Sequence, residues 1–404
     1  MGKEIFQVIL DNQNAVFYPG QNVSGRVDLE LFDELKVTAI NLSFKGYANV
    51  HWTERSGGKH KHTRHYSSNE TYFNNTVCLF SGKHGDSVKL QAGKYSYPFN
   101  FQLPPGVPSS YEATIGRVRY FIQSDIDIPW AFDKHTRRMI TVVNLLDLNT
   151  VPNAMNGATK SDQKTLCCLC CESDPICAMI AVDRTGYVPG EAIVFRSEIN
   201  NKSDREMTCS KAKLIMQVRY HATTKTRNVN NIVNQTAHGK IEGGGTDVWM
   251  NEKLHIPAVP PSYLQGCNII DIRYYMTMTV DPSGLGFDLN VPVEVVVGSI
   301  PLASIAQQHG MTLPPPPPPQ DPSLPPPPPG APQGLYTDSA MPSNLPQATL
   351  AESAMGRVST REEGDTDETQ GNTNFAPVYT YYNWDKPDPA NTFTVQMDEG
   401  DTVN

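Results

Sequence analysis

The first 300 residues alternate apolar and polar positions with a period of two, the pattern of antiparallel strands that bury one face. In residues 118–128, apolar side chains share one face, while the other face carries Arg119, Gln123, Asp125 and Asp127. The segments 23–31, 40–45 and 270–280 alternate in the same way. Clusters of Gly, Pro and Asn separate such segments, and no ten-residue helical pattern interrupts them. The sequence therefore predicts an all-β fold built from β-sandwiches.

Two short motifs occur twice in the same order. Tyr-Pro-Gly-Gln-Asn-Val at 18–23 returns as Val-Pro-Gly-Glu-Ala-Ile at 188–193, with Pro and Gly placed for a type II turn. A Pro-rich motif ending in Ser-Tyr follows at 103–111 and again at 256–263. This internal repeat predicts one sandwich over residues 1–150 and a second over 175–302, joined by a linker at 151–174.

The remaining residues, 303–404, differ sharply in composition. Of the 33 prolines, 19 lie in the last 104 residues, together with 13 acidic and 3 basic residues. Residues 1–300 are nearly neutral, with 30 basic and 29 acidic side chains. Low apolar content and high charge predict a disordered, Pro-rich acidic tail. We expect no nucleic-acid partner for this chain.

The ends of the chain and its cysteines bear on the cellular compartment. The first 30 residues include Asp28 and Glu30 and lack the continuous apolar stretch of a secretory signal. No run approaches about 18 apolar residues, and Phe6 stands where the myristoylation pattern requires Ser or Thr. We therefore expect a cytoplasmic protein whose eight cysteines are mostly reduced.

Several motifs in order resemble those of the α-arrestins, also called arrestin domain-containing proteins. They are the paired Pro-Gly turns, Leu-Leu-Asp-Leu-Asn at 145–149, the Cys-rich motif at 164–171, Pro-Pro-Ser-Tyr at 260–263, Arg-Tyr-Tyr at 273–275 and Leu-Asn-Val-Pro-Val at 289–293. The resemblance covers residues 1–302. It implies two tandem arrestin-like, immunoglobulin-like β-sandwiches without catalytic activity. It also implies an adaptor, peripheral to the plasma membrane and endosomes, that binds membrane receptors or transporters as cargo.

Motifs for catalysis are missing from the sequence. No His is followed by Glu as in the zinc metalloprotease helix, and there is no phosphate-binding Gly-x-x-x-x-Gly-Lys loop. The Gly-x-Ser-x-Gly elbow of the hydrolases is not found either. We expect neither an enzyme nor a cofactor.

A cluster of four cysteines in the linker is the best candidate for chemistry. Cys167 with Cys170, and Cys168 with Cys171, each form a Cys-x-x-Cys step, which supplies two of the four ligands of a structural zinc. Adjacent thiols are also substrates for S-acylation, which would help to hold the protein at a membrane. Inert linker thiols are the third interpretation, and the sequence leaves all three open.

A basic stretch rich in His, residues 51–65, includes Lys59, Lys61 and Arg64. It is interpreted as a solvated hairpin tip, as a metal-binding loop, or as a loop that binds anionic lipid or phosphorylated cargo. Binding of the last kind would weaken with added salt.

Two proline blocks lie in the tail, Leu313 and Pro314 to Pro319, and Leu324 and Pro325 to Pro329. Such runs adopt polyproline II, which SH3, WW and EVH1 modules recognise. A Leu followed by several prolines also resembles profilin and EVH1 ligands. The alternative interpretation is a stiff spacer.

The tail also carries a degenerate form of a ubiquitin-ligase motif. α-Arrestin tails present Pro-Pro-x-Tyr to WW domains of Nedd4-type ligases, whereas residues 376–379 keep only Pro377 and Tyr379. Tyr381, Tyr382 and Trp384 follow, and aromatic residues in an acidic tail are typical of a docking point. The protein module that binds this part of the tail would be a WW domain, a tyrosine-sorting adaptor or a phosphotyrosine module.

These observations predict a trafficking adaptor that promotes ubiquitination, internalisation and sorting of its cargo. One alternative is a cytoskeletal or signalling scaffold that binds profilin, EVH1 or SH3 modules through the proline blocks. Another is a zinc or redox protein centred on the cysteine cluster.

Overall fold

The computed structural model describes residues 4–56, 62–83, 86–168, 171–284, 287–310, 348–361, 365, 369–372 and 374–384. The side chains at positions 56, 167, 168, 171 and 172 are also outside the described part. Two tandem β-sandwiches occupy most of this length, which confirms the all-β fold predicted from the alternation.

The first sandwich contains eleven strands. They are β1 (Ile5–Leu10), β2 (Val16–Phe17), β3 (Asn22–Leu31), β4 (Leu35–Val37), β5 (Ala39–Ser56), β6 (His62–Ser81), β7 (Val88–Leu90), β8 (Gly93–Gln102), β9 (Tyr111–Glu112), β10 (Gly116–Asp127) and β11 (Lys134–Val142). One sheet has the order β1-β3-β8 and the other β2-β11-β10-β5-β6, with β9 paired to β10 and a small β4-β7 pair.

The second sandwich repeats this plan. Its strands are β12 (Ala158–Lys164), β13 (Cys167–Cys168), β14 (Cys171–Glu172), β15 (Ile176–Val182), β16 (Gly186–Tyr187), β17 (Ala192–Asn201), β18 (Met207–His221), β19 (Thr226–His238), β20 (Thr246–His255), β21 (Ile270–Pro282) and β22 (Leu289–Val297). The order β16-β22-β21-β18-β19 matches β2-β11-β10-β5-β6, and β12-β15-β17-β20 forms the second sheet. The duplicated motifs thus correspond to a duplicated topology.

Strand β12 lies within the segment that the sequence assigned to a linker. It pairs with β15 from Ala158 to Lys164 and extends the second sandwich by one edge strand. Its side chains are almost all exposed, so the strand has no apolar face. Alternation therefore gave no signal for it, because an edge strand with two solvated faces is polar throughout.

Strand β10 also departs from the expected pattern. Val118, Tyr120 and Ile122 face the core as predicted, but Arg119 and Phe121 on the opposite face are buried too. A second layer of the molecule must therefore cover the outer face of this strand.

The two sandwiches contact each other through side chains from both. The hydroxyl groups of Tyr111 and Tyr220 lie 2.7 Å apart, and burial raises the pKa of Tyr220 to about 12. A Cβ atom at Gly116 would lie 2.4 Å from the Tyr220 ring, so glycine permits this packing. Lys225 also pairs with Glu54 at 2.7 Å across the same boundary.

The chain after the second sandwich returns to the surface of both sandwiches. It contains α1 (Ala303–Gln308), then β23 (Ala348–Glu352), β24 (Val358–Ser359), β25 (Gln370–Gly371), β26 (Asn374–Phe375) and β27 (Val378–Tyr382). Strand β23 pairs with β27, β24 pairs with β26, and β25 joins the first sandwich beside β11. Ser359 and Thr360 of this tail lie over Arg119 of β10.

Candidate peptide-binding surface

The antiparallel pair of β23 and β27 lies across the boundary of the two sandwiches. Backbone hydrogen bonds fix it to the second sandwich: the amide of Tyr382 donates to the Pro189 carbonyl at 3.0 Å, and the amide of Ala354 to the Ala258 carbonyl at 2.8 Å. On the first sandwich, the amide of Val378 donates to the Thr141 hydroxyl at 3.4 Å. The tail pair is therefore held by both halves of the molecule.

Tyr379 is an aromatic tail side chain that is buried in this surface. It is 2% exposed, and its hydroxyl donates to the Ser110 carbonyl at 3.0 Å. Burial raises the pKa of Tyr379 far above its usual range, so the hydroxyl stays protonated and remains a donor. The Tyr379 ring is therefore packed inside the protein, and its hydroxyl has a hydrogen-bond partner within the same chain.

Tyr382 occupies the corresponding position on the second sandwich. It is 0% exposed and packs among Leu146, Val188 and Leu302, and its hydroxyl donates to the Ser299 carbonyl at 2.8 Å. Trp384 stacks on its ring at a centroid distance of 5.3 Å. The aromatic residues near the end of the tail thus form a small second core with the segments that flank the sandwich.

Gly190, the turn glycine of the second repeat, makes room for this contact. A Cβ atom there would lie 1.9 Å from the Tyr382 carbonyl oxygen, and its φ of +96° is in the left-handed region. Gly20, the same glycine in the first repeat, has φ +86° and no atom within 4 Å of its Cβ position. The two copies share the turn, but only the second has the tail packed against it.

Strand β25 extends the sheet of the first sandwich. It lies parallel to β11, with Gln370 opposite Thr136 and Gly371 opposite Arg137. The amide of Asn372 donates to the Arg137 carbonyl at 3.1 Å, and the Asn372 side chain accepts from the amide of Met139 at 3.0 Å. This is addition of a strand to the edge of β11 that β2 occupies farther along, at Thr141 and Val142, and strand addition is a common mode of peptide recognition.

Arg137 also binds the tail through its side chain. Its two terminal nitrogens each lie 2.8 Å from an oxygen of Asp365, and the pair is almost completely buried. The Gln123 side chain accepts from the same guanidinium at 2.8 and 3.1 Å, and the Phe121 ring lies 4.8 Å from it. A bidentate pair of this kind fixes the register of an acidic peptide as well as attracting it.

A second buried arginine lies next to it on β10. Arg119 is 1% exposed and pairs with Glu112 through contacts of 2.7 and 2.9 Å. It also donates to the Thr360 carbonyl at 3.4 Å, and Arg137 donates to the same oxygen at 3.3 Å. Two neighbouring strands therefore point arginines at a single peptide carbonyl of the tail.

The surface as a whole combines a strand edge, two buried arginines and two aromatic pockets. Backbone bonding tolerates many sequences, Arg137 pairs with an acidic residue, and the pockets hold aromatic rings. The tail supplies all three features. The arrangement is suited to holding an extended acidic and aromatic peptide.

Comparison with known proteins identifies the fold family. Residues 6–149 match the family model described as arrestin (or S-antigen), N-terminal domain, and residues 172–302 match the C-terminal domain of the same family. The chain is 31% identical over 311 residues to arrestin domain-containing protein 17 of Caenorhabditis elegans, covering 74% of this chain and 71% of that protein. The chain belongs to the arrestin family.

Other relatives carry similar names. Arrestin domain-containing protein 4 of Mus musculus is 30% identical over 313 residues, covering 76% of this chain and 74% of that protein. Arrestin domain-containing protein 1 of Homo sapiens is 27% identical over 322 residues, covering 78% and 69%. The resemblance inferred from short motifs is thereby confirmed, and so is the role of an arrestin-family adaptor, which binds other proteins.

The residues predicted as sites fall into three groups. Pro377 and Tyr379, directly before and within β27, are both buried, and the Pro377 carbonyl accepts from the Ser353 amide at 2.8 Å. Arg64 is exposed on β6. Outside the described residues lie Lys59, Lys61, Cys170 and the proline blocks Leu313, Pro314, Pro319, Leu324, Pro325 and Pro329. The side chains of Cys167, Cys168 and Cys171 are not described either, so the three interpretations of the cluster stay predictions.

Sequence reasoning missed Arg119, Arg137, Asp365 and Gly190 as site residues. Arg119 was placed on a solvated face because alternation reads only one strand at a time. The one available signal was composition, since a near-neutral arrestin body precedes a tail with 13 acidic residues. Within the described ranges, no helix is long and apolar enough to cross a bilayer.

Proposed function

We propose that this arrestin-family protein is a non-catalytic trafficking adaptor whose tail is presented to effectors when cargo displaces it. The two sandwiches bind membrane receptors or transporters, and the released tail recruits WW-domain ubiquitin ligases or endocytic machinery. Cargo is then ubiquitinated, internalised and sorted because it is held near the ligase, which raises the effective concentration without catalysis by the adaptor.

The burial of Pro377 and Tyr379 carries the proposal. A WW domain binds its ligand in an aromatic groove, so both side chains must leave the body before they enter that groove. In the docked arrangement Tyr379 is 2% exposed and donates to Ser110. Docking of the tail and binding of a WW domain are therefore mutually exclusive.

The docking contacts also suggest how cargo would act. An acidic segment of a cargo protein that added a strand to β11 and reached Arg137 would compete directly with Asp365 and β25. The apparent affinity of the ligase for the adaptor is then the intrinsic affinity multiplied by the fraction of molecules whose tail is undocked, so docking reduces it. Cargo binding removes this reduction.

The test uses substitutions on the body, so that the tail motif stays intact. Arg137→Glu repels Asp365 and should tighten binding of an isolated WW domain from a Nedd4-type ligase by roughly tenfold or more. Arg196→Glu, at an exposed position of β17, changes charge equally and should leave the affinity unchanged. Adding Tyr379→Ala to Arg137→Glu should abolish binding, as measured by fluorescence anisotropy.

Two results would overturn the proposal. Binding by the doubly substituted chain at the affinity of Arg137→Glu would show that the WW domain does not use Tyr379. Capture of profilin or EVH1 proteins, and no ligase, by the Arg137→Glu chain would favour the scaffold alternative. Thermal unfolding of each variant establishes that the sandwiches remain intact.

A further inference from the structure

Two aromatic side chains project from one end of the first sandwich. The hairpin between β10 and β11, residues 128–133, carries Trp130 at 102% exposure and Phe132 at 85%. By contrast, Trp52 and Trp249 are 3% and 1% exposed, and Trp384 is half-buried. Because Trp130 is fully exposed, its large apolar ring adds nothing to stability through burial, unlike the rings of Trp52 and Trp249.

The backbone of this aromatic tip, residues 128–133, imposes the exposure. The amide of Ala131 donates to the Ile128 carbonyl at 3.3 Å, and the amide of Ile128 donates to the Asp133 side chain at 3.2 Å. Trp130 has φ +65°, in the left-handed region that bulky residues rarely adopt. Strain of this kind concentrates at functional positions, and the side chain at this strained position is fully exposed.

More apolar side chains lie at the same end of the sandwich. The pairing of Asp127 with Ala39 places the end of β10 beside the start of β5, which directly follows β4. The ion pair of Lys134 with Glu4 joins the start of β11 to the start of β1. The nearby chain segments expose Ile5 (45%), Phe32 (53%) and Val88 (38%). Of the twelve large apolar side chains exposed in the described part of the chain, five therefore lie at this apolar end.

Among the described residues, the apolar end carries no excess of positive charge. Lys89 pairs with Glu34 at 2.6 Å, Lys94 with Glu30 at 3.4 Å, and Lys134 with Glu4. Asp133 is exposed within the aromatic tip itself. Electrostatic attraction to an anionic surface is therefore not what this end provides.

We propose that the aromatic tip inserts into the headgroup region of a lipid bilayer, independently of lipid charge. The indole of tryptophan prefers that region because it is apolar with one polar N–H, and peripheral proteins use exposed Trp, Phe and Leu in the same way. Ile5, Phe32 and Val88 would approach the surface behind the two rings. The tip would orient the first sandwich with the apolar end against the membrane.

A bilayer fits the shape of the tip better than a protein does. Protein interfaces need about 800 Å² of complementary surface on each partner, whereas two projecting rings and three scattered side chains offer less. Two cavities among the described residues lie elsewhere, one of about 500 Å³ beside Cys177 and Lys202 and another of about 230 Å³ beside His51 and Arg117. A fluid lipid surface needs no matching groove, because it rearranges around the rings.

The experiment measures binding of the full chain to vesicles of pure phosphatidylcholine. Trp130→Ala with Phe132→Ala should lower the partition coefficient roughly tenfold or more, because burying even a third of the two rings is worth more than a factor of ten. The matched control removes two exposed apolar side chains from the second sandwich, Ile232→Ala with Met250→Ala, and should bind as the unsubstituted chain. Trp130 emission should shift to shorter wavelength on binding, and Trp130→Phe should remove that shift.

Lipid composition separates this site from the basic loop predicted from the sequence. Binding through the aromatic tip should persist in high salt and without phosphatidylserine, and Lys59→Glu, Lys61→Glu and Arg64→Glu should leave it unchanged. Unaltered binding by the Trp130→Ala, Phe132→Ala chain would overturn the proposal. So would a change in oligomeric state on ultracentrifugation without any change in vesicle binding, because the rings would then serve a second copy. The measurement uses lipid alone, so its failure would leave the adaptor proposal standing.

Discussion

Arg137 binds Asp365 through two parallel hydrogen bonds of 2.8 Å, although 228 residues separate them in the chain. The pair joins the β11 edge of the first sandwich to the acidic tail, and both side chains are nearly inaccessible to water. Breaking a buried pair by removing one partner is strongly destabilising, because the remaining charge loses its compensation. This ion pair therefore sets how tightly the tail is docked.

Replacing Asp365 by Ala should release β25 from β11. The amide of Asn372, which donates to the Arg137 carbonyl, should then exchange its hydrogen at least roughly tenfold faster. Hydrogen exchange followed by mass spectrometry of peptides covering residues 369–384 measures this.

Glu352→Ala is the control for that release. Glu352 pairs with Arg357 on the surface of the tail, where the Arg357 side chain is 58% exposed and the Glu352 side chain 50%. Exposed pairs of this kind contribute about 0–1 kcal/mol to stability. Exchange in residues 369–384 should stay as in the unsubstituted chain. Equal effects of the two substitutions would show that the Arg137 pair is not what holds the tail.

The two turn glycines form a second matched pair. Gly190→Ala places a Cβ atom 1.9 Å from the Tyr382 carbonyl oxygen, so the tail must move away from the second sandwich. Gly20→Ala introduces a similar left-handed strain with no neighbour within 4 Å. Limited proteolysis near residues 380–384 should accelerate for Gly190→Ala alone. Equal cleavage in both variants would mean that backbone strain, and not the clash, is responsible.

The hydroxyl and the ring of Tyr379 should contribute separately to docking. Tyr379→Phe removes only the hydrogen bond to Ser110, which is worth about 1 kcal/mol. Tyr379→Ala also removes the buried ring, and comparable truncations of buried aromatic side chains cost about 3–5 kcal/mol. Exchange at β27 should therefore rise modestly for Phe and strongly for Ala. Similar exchange in the two variants would contradict the burial of the ring.

A thiol near the boundary of the sandwiches should titrate late. Burial raises the pKa of Cys267 to about 11, so at pH 8 the group is almost entirely the unreactive thiol. Iodoacetamide should label exposed Cys78 well before Cys267, and labelling of Cys267 should rise about tenfold per pH unit towards 11. Peptide mass spectrometry reads each cysteine separately. Equal labelling rates at pH 8 would show that the boundary is open in solution.

Sequence patterns were reliable where a structural feature is local. Alternation identified the strands with one buried face, such as β3, whose apolar positions Val23, Val27, Leu29 and Leu31 are all buried. It gave no sign of β12, whose two faces are solvated, and it placed Arg119 in solvent, where the tail in fact covers it. For β12 the missing information was the neighbouring strand β15, and for Arg119 it was the tail segment that covers it.

The candidate site was predictable only in part. Pro377, Tyr379 and Tyr382 stood out in the tail by their residue type, and all three are buried on the body. Their partners, the carbonyls of Ser110, Pro189 and Ser299, carry no signal in a sequence, because every residue has a backbone carbonyl. Only the folded chain shows which of them are accessible to a returning tail.

The amino-acid sequence alone determined the two sandwiches, their duplicated topology, the arrestin family and the acidic character of the tail. These follow from side-chain periodicity and from short motifs, which act over a few residues. The docking of the tail on Arg119 and Arg137, and the exposure of Trp130 at the apolar end, were decided by the tertiary structure. Burial depends on what surrounds a side chain. Arg119 and Arg137 are covered by segments more than 200 residues away in the chain, whereas no segment that the structure describes covers Trp130.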